Sequence, residues 1–271
     1  MKTYPLIGLL LCSLYMQVDA APKKIKHTSP TLEHYATTTT TPSAFAQTNY
    51  DLFAKFLEKS LTGQGKLDFY QMSKQVKRNI QWLDAQNTNA YNDAFRRSFK
   101  FIQHYDLKGM PSIIMLIPYM ESQWQANKGD PKGDYGYWQL VPEVLNEIKT
   151  LDYIPASFNK HNINQIREHP QLSTYAAQIH LRRYYFYFAK VAKYSESDAW
   201  LFTLVSYNWG AGNVKRLLAE LKKQGQTPNF ANFYQSLYKL YQKNPNDRSI
   251  RAAAAYVPSL WNMAQLLKKV N

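Results

Sequence analysis

From about Asn49 onward, apolar residues recur at helical spacing over most of the chain. Leu52, Phe53, Phe56 and Leu57 fall on one stripe, and Leu172, Tyr175, Ile179 and Phe186 on another. Alternating segments joined by hairpin dipeptides are missing, so the pattern predicts an all-α, mainly helical body without a substantial sheet. Pro111 stands where a helix begins, since a first-turn position needs no N–H. Pro118 falls inside the same apolar run and should bend it or free a backbone carbonyl. Residues 125–135 carry Lys-Gly-Asp twice, at 128–130 and 132–134 around Pro131, and read as a loop. A chain of 271 residues can bury one sizeable core or two small ones.

The N-terminal residues do not fit this periodicity. Residues 1–20 read as a signal peptide: Lys2 gives the positive start, Ile7 to Leu14 are mostly apolar, and Val18-Asp19-Ala20 offers a cleavage site. Residues 21–45 read as a flexible linker. Cys12 is the one cysteine, and Leu11 stands where a lipoprotein site wants a small residue. Cleavage near Ala20 therefore leaves a thiol-free chain, suited to the periplasm, the cell envelope or secretion. Cysteine nucleophiles and cysteine metal sites are excluded from it. The six histidines show no His-Glu-x-x-His spacing, so neither metal nor other cofactor is expected.

The formal charge of +14 draws the protein to anionic polymers. Cell-wall glycan and nucleic acid satisfy charge alone equally well. The basic residues are scattered without an arginine-rich arm, and no nucleic-acid-binding module is present, so no nucleic acid is expected as partner.

Chemistry concentrates at one carboxyl group. Glu121 closes the run Met115-Leu116-Ile117-Pro118-Tyr119-Met120, and loss of hydration there should raise its pKa and make it a proton donor near neutral pH. Later come Gly136-Tyr137-Trp138-Gln139-Leu140, Ser206-Tyr207-Asn208-Trp209-Gly210 and Tyr256-Val257-Pro258. Each has a bland reading. Tyr137 and Trp138 suit a core, Gln139 a helix start, and Asn208 with Gly210 a helix end. Tyr207 and Tyr256 are two of 21 tyrosines. Those readings do not predict the four blocks in this order.

In this order, across roughly residues 95–268, the blocks resemble the soluble lytic transglycosylase (SLT) domain of glycoside hydrolase family twenty-three. The proline three residues before the glutamate resembles the membrane-bound lytic murein transglycosylase D subgroup. The resemblance implies a lysozyme-like domain over 95–271 with accessory helices over 46–94, where Trp82 and, at the junction, Phe95 and Phe99 supply anchors. It implies cleavage of the N-acetylmuramic acid to N-acetylglucosamine bond in peptidoglycan strands, the expected partner of a monomer. Cell-envelope machinery is a further partner class. Glu121 alone would protonate the leaving oxygen, then act as base while the muramoyl C6 hydroxyl closes a 1,6-anhydro ring. The substrate's acetamido group stands in for a second carboxylate. Ser122, Tyr137, Gln139, Tyr207, Asn208 and Tyr256 would bind and orient the glycan.

The chain departs from the family pattern in the loop. Much of the family has a serine about where Asp130 stands, and a carboxylate there or at Asp134 would hold a water and favour hydrolysis. A hydrolytic muramidase and a non-catalytic glycan-binding protein are the alternatives. The intact Glu121 speaks against the second.

Overall fold

The computed structural model describes residues 41–86, 89–102, 107 and 109–269. The expected leader, the linker up to residue 40, the Trp82 side chain, and His27, His34 and His104 lie outside the described residues.

Helix α1 (Pro42–Ser60) begins because Thr41 caps it. The Thr41 hydroxyl accepts the Ala44 N–H at 3.2 Å, and Pro42 fills the first turn, where no N–H is needed. Residues 42–45, assigned to the linker from sequence, therefore form the first helical turn. Phe45 is buried there, with ring centroids 6.2 Å from Phe95 and 5.9 Å from Phe99. Helices α2 (Gly63–Gln86) and α3 (Ala90–Ile102) follow. Helix α3 runs through position 95, and its aromatic rings join the hydrophobic core that α1 helps to build.

The apolar run around Pro118 is divided rather than bent. Ser112–Leu116 forms a 3-10 segment, and a new helix, α4 (Ile117–Ser122), starts with Pro118 in its first turn. The division has a simple cause: a first turn has no N–H obligation, whereas a helix interior does. Short helices α5 (Pro142–Lys149), α6 (Ala156–Asn159) and α7 (Ile163–Glu168) lead to α8 (Pro170–Phe186). The chain then passes through a π turn, Tyr187–Val191, to α9 (Glu196–Trp209), α10 (Ala211–Lys223), α11 (Phe230–Lys243) and α12 (Arg248–Leu267). Among the described residues β structure is limited to isolated bridges, Gly129 with Tyr135 and Tyr135 with Leu140.

The expected α8 stripe needs correction. Phe186 is exposed, while Ala176, Ala177, Leu181 and Phe188 are fully buried. The small alanines let α8 lie close on α9, so the buried face is rotated from the one marked by large residues. Helix α9 is apolar on every side, with Trp200, Leu201, Phe202, Leu204 and Val205 buried, the signature of a central helix. Helix α12 packs on α1, α2, α9, α11 and α4. Its register on α2 is fixed by buried polar groups: Ser73 donates to Asn262 Oδ1 at 2.9 Å, and the Asn262 amide returns a bond to the Ser73 carbonyl at 2.8 Å. A phenol on α12 is thereby held beside the end of α4.

Candidate active site

Glu121 occupies the last turn of α4, whose Ile117, Pro118 and Tyr119 are buried. The helix stops because Gln123 and Trp124 both take left-handed backbone, φ 52° and 56°. Two such residues in succession are unfavourable wherever a Cβ is present, and strain of this kind gathers at functional sites. The turn lays Trp124 back over the helix. Its ring stacks on Tyr119 at 6.0 Å and meets Tyr137 at 4.9 Å. Beside it, the buried Ser122 hydroxyl lies 2.8 Å from the Tyr137 carbonyl and 3.0 Å from the Pro118 carbonyl, tying α4 to the following loop.

The Glu121 side chain is only partly open to solvent, and burial is the largest influence on its carboxyl. Tyr256, itself buried on α12, donates to Oε1 at 2.7 Å and stabilises the charged form. The negative charge of Asp134 works the other way. Burial and Asp134 prevail, and the pKa is pushed up to about 7. Burial also holds the Tyr256 and Tyr207 phenols well above their ordinary pKa, so both stay neutral donors. Tyr207, on α9, donates to the Trp138 carbonyl at 2.6 Å, while the fully buried Trp138 indole donates to Thr174 at 3.0 Å. Next to Tyr207 stands His180, with ring centroids 5.9 Å apart. Desolvation and the Arg183 charge bring His180 down to about 4, so it is a neutral imidazole near pH 7.

The loop after α4 is built from its own carbonyls. The Gly136 N–H bonds the Lys128 carbonyl at 2.9 Å, and the Asp130 N–H bonds that of Asp134 at 2.9 Å. Gly136 is required there, because φ is +81° and an added Cβ would lie 2.3 Å from the Arg167 carbonyl oxygen. Gln139, with φ 48°, is in a turn rather than at a helix start. Its amide nitrogen is committed to the carbonyls of Lys128 and Gly136, at 2.9 and 2.8 Å.

The two loop aspartates differ. The Asp130 carboxylate accepts the Lys132 N–H at 2.9 Å and is exposed, closing its own turn. Asp134 lies close enough for its charge to be felt by Glu121 and Tyr207. Glu121, Tyr256, Tyr207 and Asp134 are thus one electrostatic group, with Ser122, Tyr137, Trp138 and Gln139 forming its frame. Asn208 is exposed at the end of α9 and takes part in none of these hydrogen bonds. Arg167, Trp124, Thr174 and His180 escaped the sequence reading. Only Trp124, three residues beyond Glu121, carried a usable signal, its place beside the glutamate in an aromatic-rich stretch. Among the described residues no group of three or more His, Cys, Asp or Glu side chains is arranged to hold a metal ion.

The family model of the transglycosylase SLT domain matches residues 101–230. That span includes Glu121, the loop with Asp134 and Gln139, and the Tyr207-Asn208 end of α9, whereas Tyr256 lies beyond it. The match is to the domain as a whole and does not single out a subgroup. No curated protein sequence matches the chain. The helical fold, the partly covered glutamate and the match agree: residues 101–230 belong to the lysozyme-like transglycosylase SLT domain family, whose lytic transglycosylases act on the glycan of peptidoglycan.

Proposed function

We propose that this protein is an exported lytic transglycosylase that cleaves the β-1,4 bond between N-acetylmuramic acid and N-acetylglucosamine and leaves 1,6-anhydromuramoyl ends. The observation that carries this reading is the Glu121 carboxyl, poised at about 7 and hydrogen bonded to Tyr256. At neutral pH a large fraction of such a group is protonated, and the same group is a competent base once it has given up the proton. In the first step the Glu121 proton passes to the bridging oxygen and the C1–O bond breaks. The acetamido oxygen of the muramoyl unit supports the positive C1. In the second step Glu121 accepts the C6 hydroxyl proton as that oxygen bonds C1, so no water is consumed. Closure within one sugar gains from its intramolecular geometry.

Tyr256 fixes one carboxyl oxygen and leaves the other for the proton. Tyr207, held by the Trp138 carbonyl, lines the site, and Tyr137 and Asn208 stand where glycan passes. The organisation that accompanies this reading is a leader over 1–20, a linker ahead of α1, accessory helices, and the catalytic body from about residue 95. Export follows from the leader and the single cysteine inside it. Among the described residues no helix is long and apolar enough to cross a membrane.

A second reading, hydrolysis at the same site, is favoured by one observation: Asp134 carries charge within reach of Glu121 and is a suitable partner for a water. Purified wall digested by wild type and by Glu121→Gln separates the outcomes by mass. Wild type should release muropeptides with anhydro ends, one water lighter than hydrolysed ends, and Glu121→Gln should release none. Hydrolysed ends would favour the second reading, and undiminished release by Glu121→Gln would remove both.

A further inference from the structure

Arg167 is 1% exposed, an unusual position for a guanidinium. Among the described residues no carboxylate forms an ion pair with it. The two terminal nitrogens bond instead to three loop carbonyls and one side-chain amide. Nη1 bonds the carbonyls of Gly133 and Leu140 at 2.7 and 2.9 Å, and Nη2 bonds the Pro131 carbonyl and Asn164 Oδ1, both at 2.5 Å. The Arg167 carbonyl in turn accepts the Tyr137 N–H at 3.3 Å. The guanidinium also lies 5.1 Å from the centre of the Tyr135 ring, whose hydroxyl donates to Glu168 at 2.8 Å. One side chain from a six-residue helix thus grips the 131–140 loop near both ends and through its middle.

That loop reaches the acid at three points. Its Tyr137 carbonyl holds Ser122, the neighbour of Glu121; its Trp138 carbonyl holds the Tyr207 hydroxyl; and its Asp134 charge acts on Glu121. A planar fork can bind several carbonyls in fixed directions, which an ammonium cannot imitate. We infer that Arg167 is a positioning residue for glycan cleavage, acting through the loop to set where Glu121, Tyr207 and Asp134 stand relative to one another. The inference rests on Glu121 being the acid. Arg167 touches no reacting atom, and its charge is directed into the loop.

The test compares full-length wild type, Arg167→Lys, Asn164→Ala and Glu121→Gln on soluble peptidoglycan oligosaccharides. The readouts are kcat, KM and folded fraction by circular dichroism. Misplacement of an acid reduces the chemical step more than ground-state binding, so Arg167→Lys should lose about tenfold or more in kcat per folded molecule, with KM within about twofold. Asn164→Ala, which removes a single acceptor on the surface of the clamp, should lose about threefold in the same sense. Should Arg167→Lys fail to fold, Asn164→Ala decides. Both variants matching wild type per folded molecule, or raising KM at unchanged kcat, would remove the inference while leaving the acid in place. An inactive wild type would remove the reading of Glu121 and this inference with it.

Discussion

Changing Glu121 to glutamine keeps the side chain's shape and abolishes its proton equilibrium. The amide oxygen still accepts from Tyr256, so the variant isolates the cost of charging this site. In the folded protein the pKa stands at about 7 against an ordinary value of 4.5. The folded state therefore holds this proton more tightly than the unfolded state. Wild-type stability from this group is complete below pH 4.5, declines as the pH rises through the interval, and levels off above about 7. At about 1.36 kcal/mol per pH unit the interval amounts to about 3 kcal/mol, and screening at the partly exposed edge lowers this to about 2–3 kcal/mol. Glu121→Gln should consequently match wild type near pH 4 and exceed it by that amount near pH 8. For a folded body of this size the difference corresponds to a rise in Tm of about 5–10 °C. Thermal melts across pH 4–8 at fixed ionic strength measure it directly, and wall digestion by the variant should be absent throughout. A stability difference that stays constant with pH would refute the claim that a desolvated carboxyl sits here, whatever the digestion assay shows.

The neighbours of Glu121 push it in opposite directions and can be separated. Tyr256→Phe removes the bond that favours the anion, so Glu121 should titrate higher and the alkaline fall of kcat should move to higher pH, visible in a pH–rate profile. Asp134→Asn removes a repelling charge, and the same alkaline fall should move to lower pH. A shift of the same sign in both variants would contradict the geometry. Gly136→Ala places a methyl 2.3 Å from the Arg167 carbonyl at a φ of +81°, and should lower stability by about 2–4 kcal/mol in urea denaturation.

Much of the helical architecture, and the partly covered carboxyl of Glu121, could be read from the residue pattern because both follow local rules. An acidic residue after Met115 to Met120 has few ways of staying hydrated, and the structure keeps it partly covered. Tyr256 stood out by its block, although only folding brings it across 135 positions to Glu121. Other features depended on pairings that no local pattern records. The buried face of α8 runs along alanines, whose small size hides them in a count of large apolar residues. Phe45 belongs to a helix that its threonine-rich approach disguised. Arg167 looks like any surface arginine until the loop carbonyls it serves are in place, and Asp130 and Asp134 differ only in which way the loop turns them.

Tyr256 comes from α12, downstream of the segment that matches the SLT model. A site assembled this way needs two distant segments at once: without α12 the chain keeps Glu121 but not the phenol bonded to it. Loss of α12 would also strip α2 and α9 of their cover, so damage to this helix should disturb the site and the fold together.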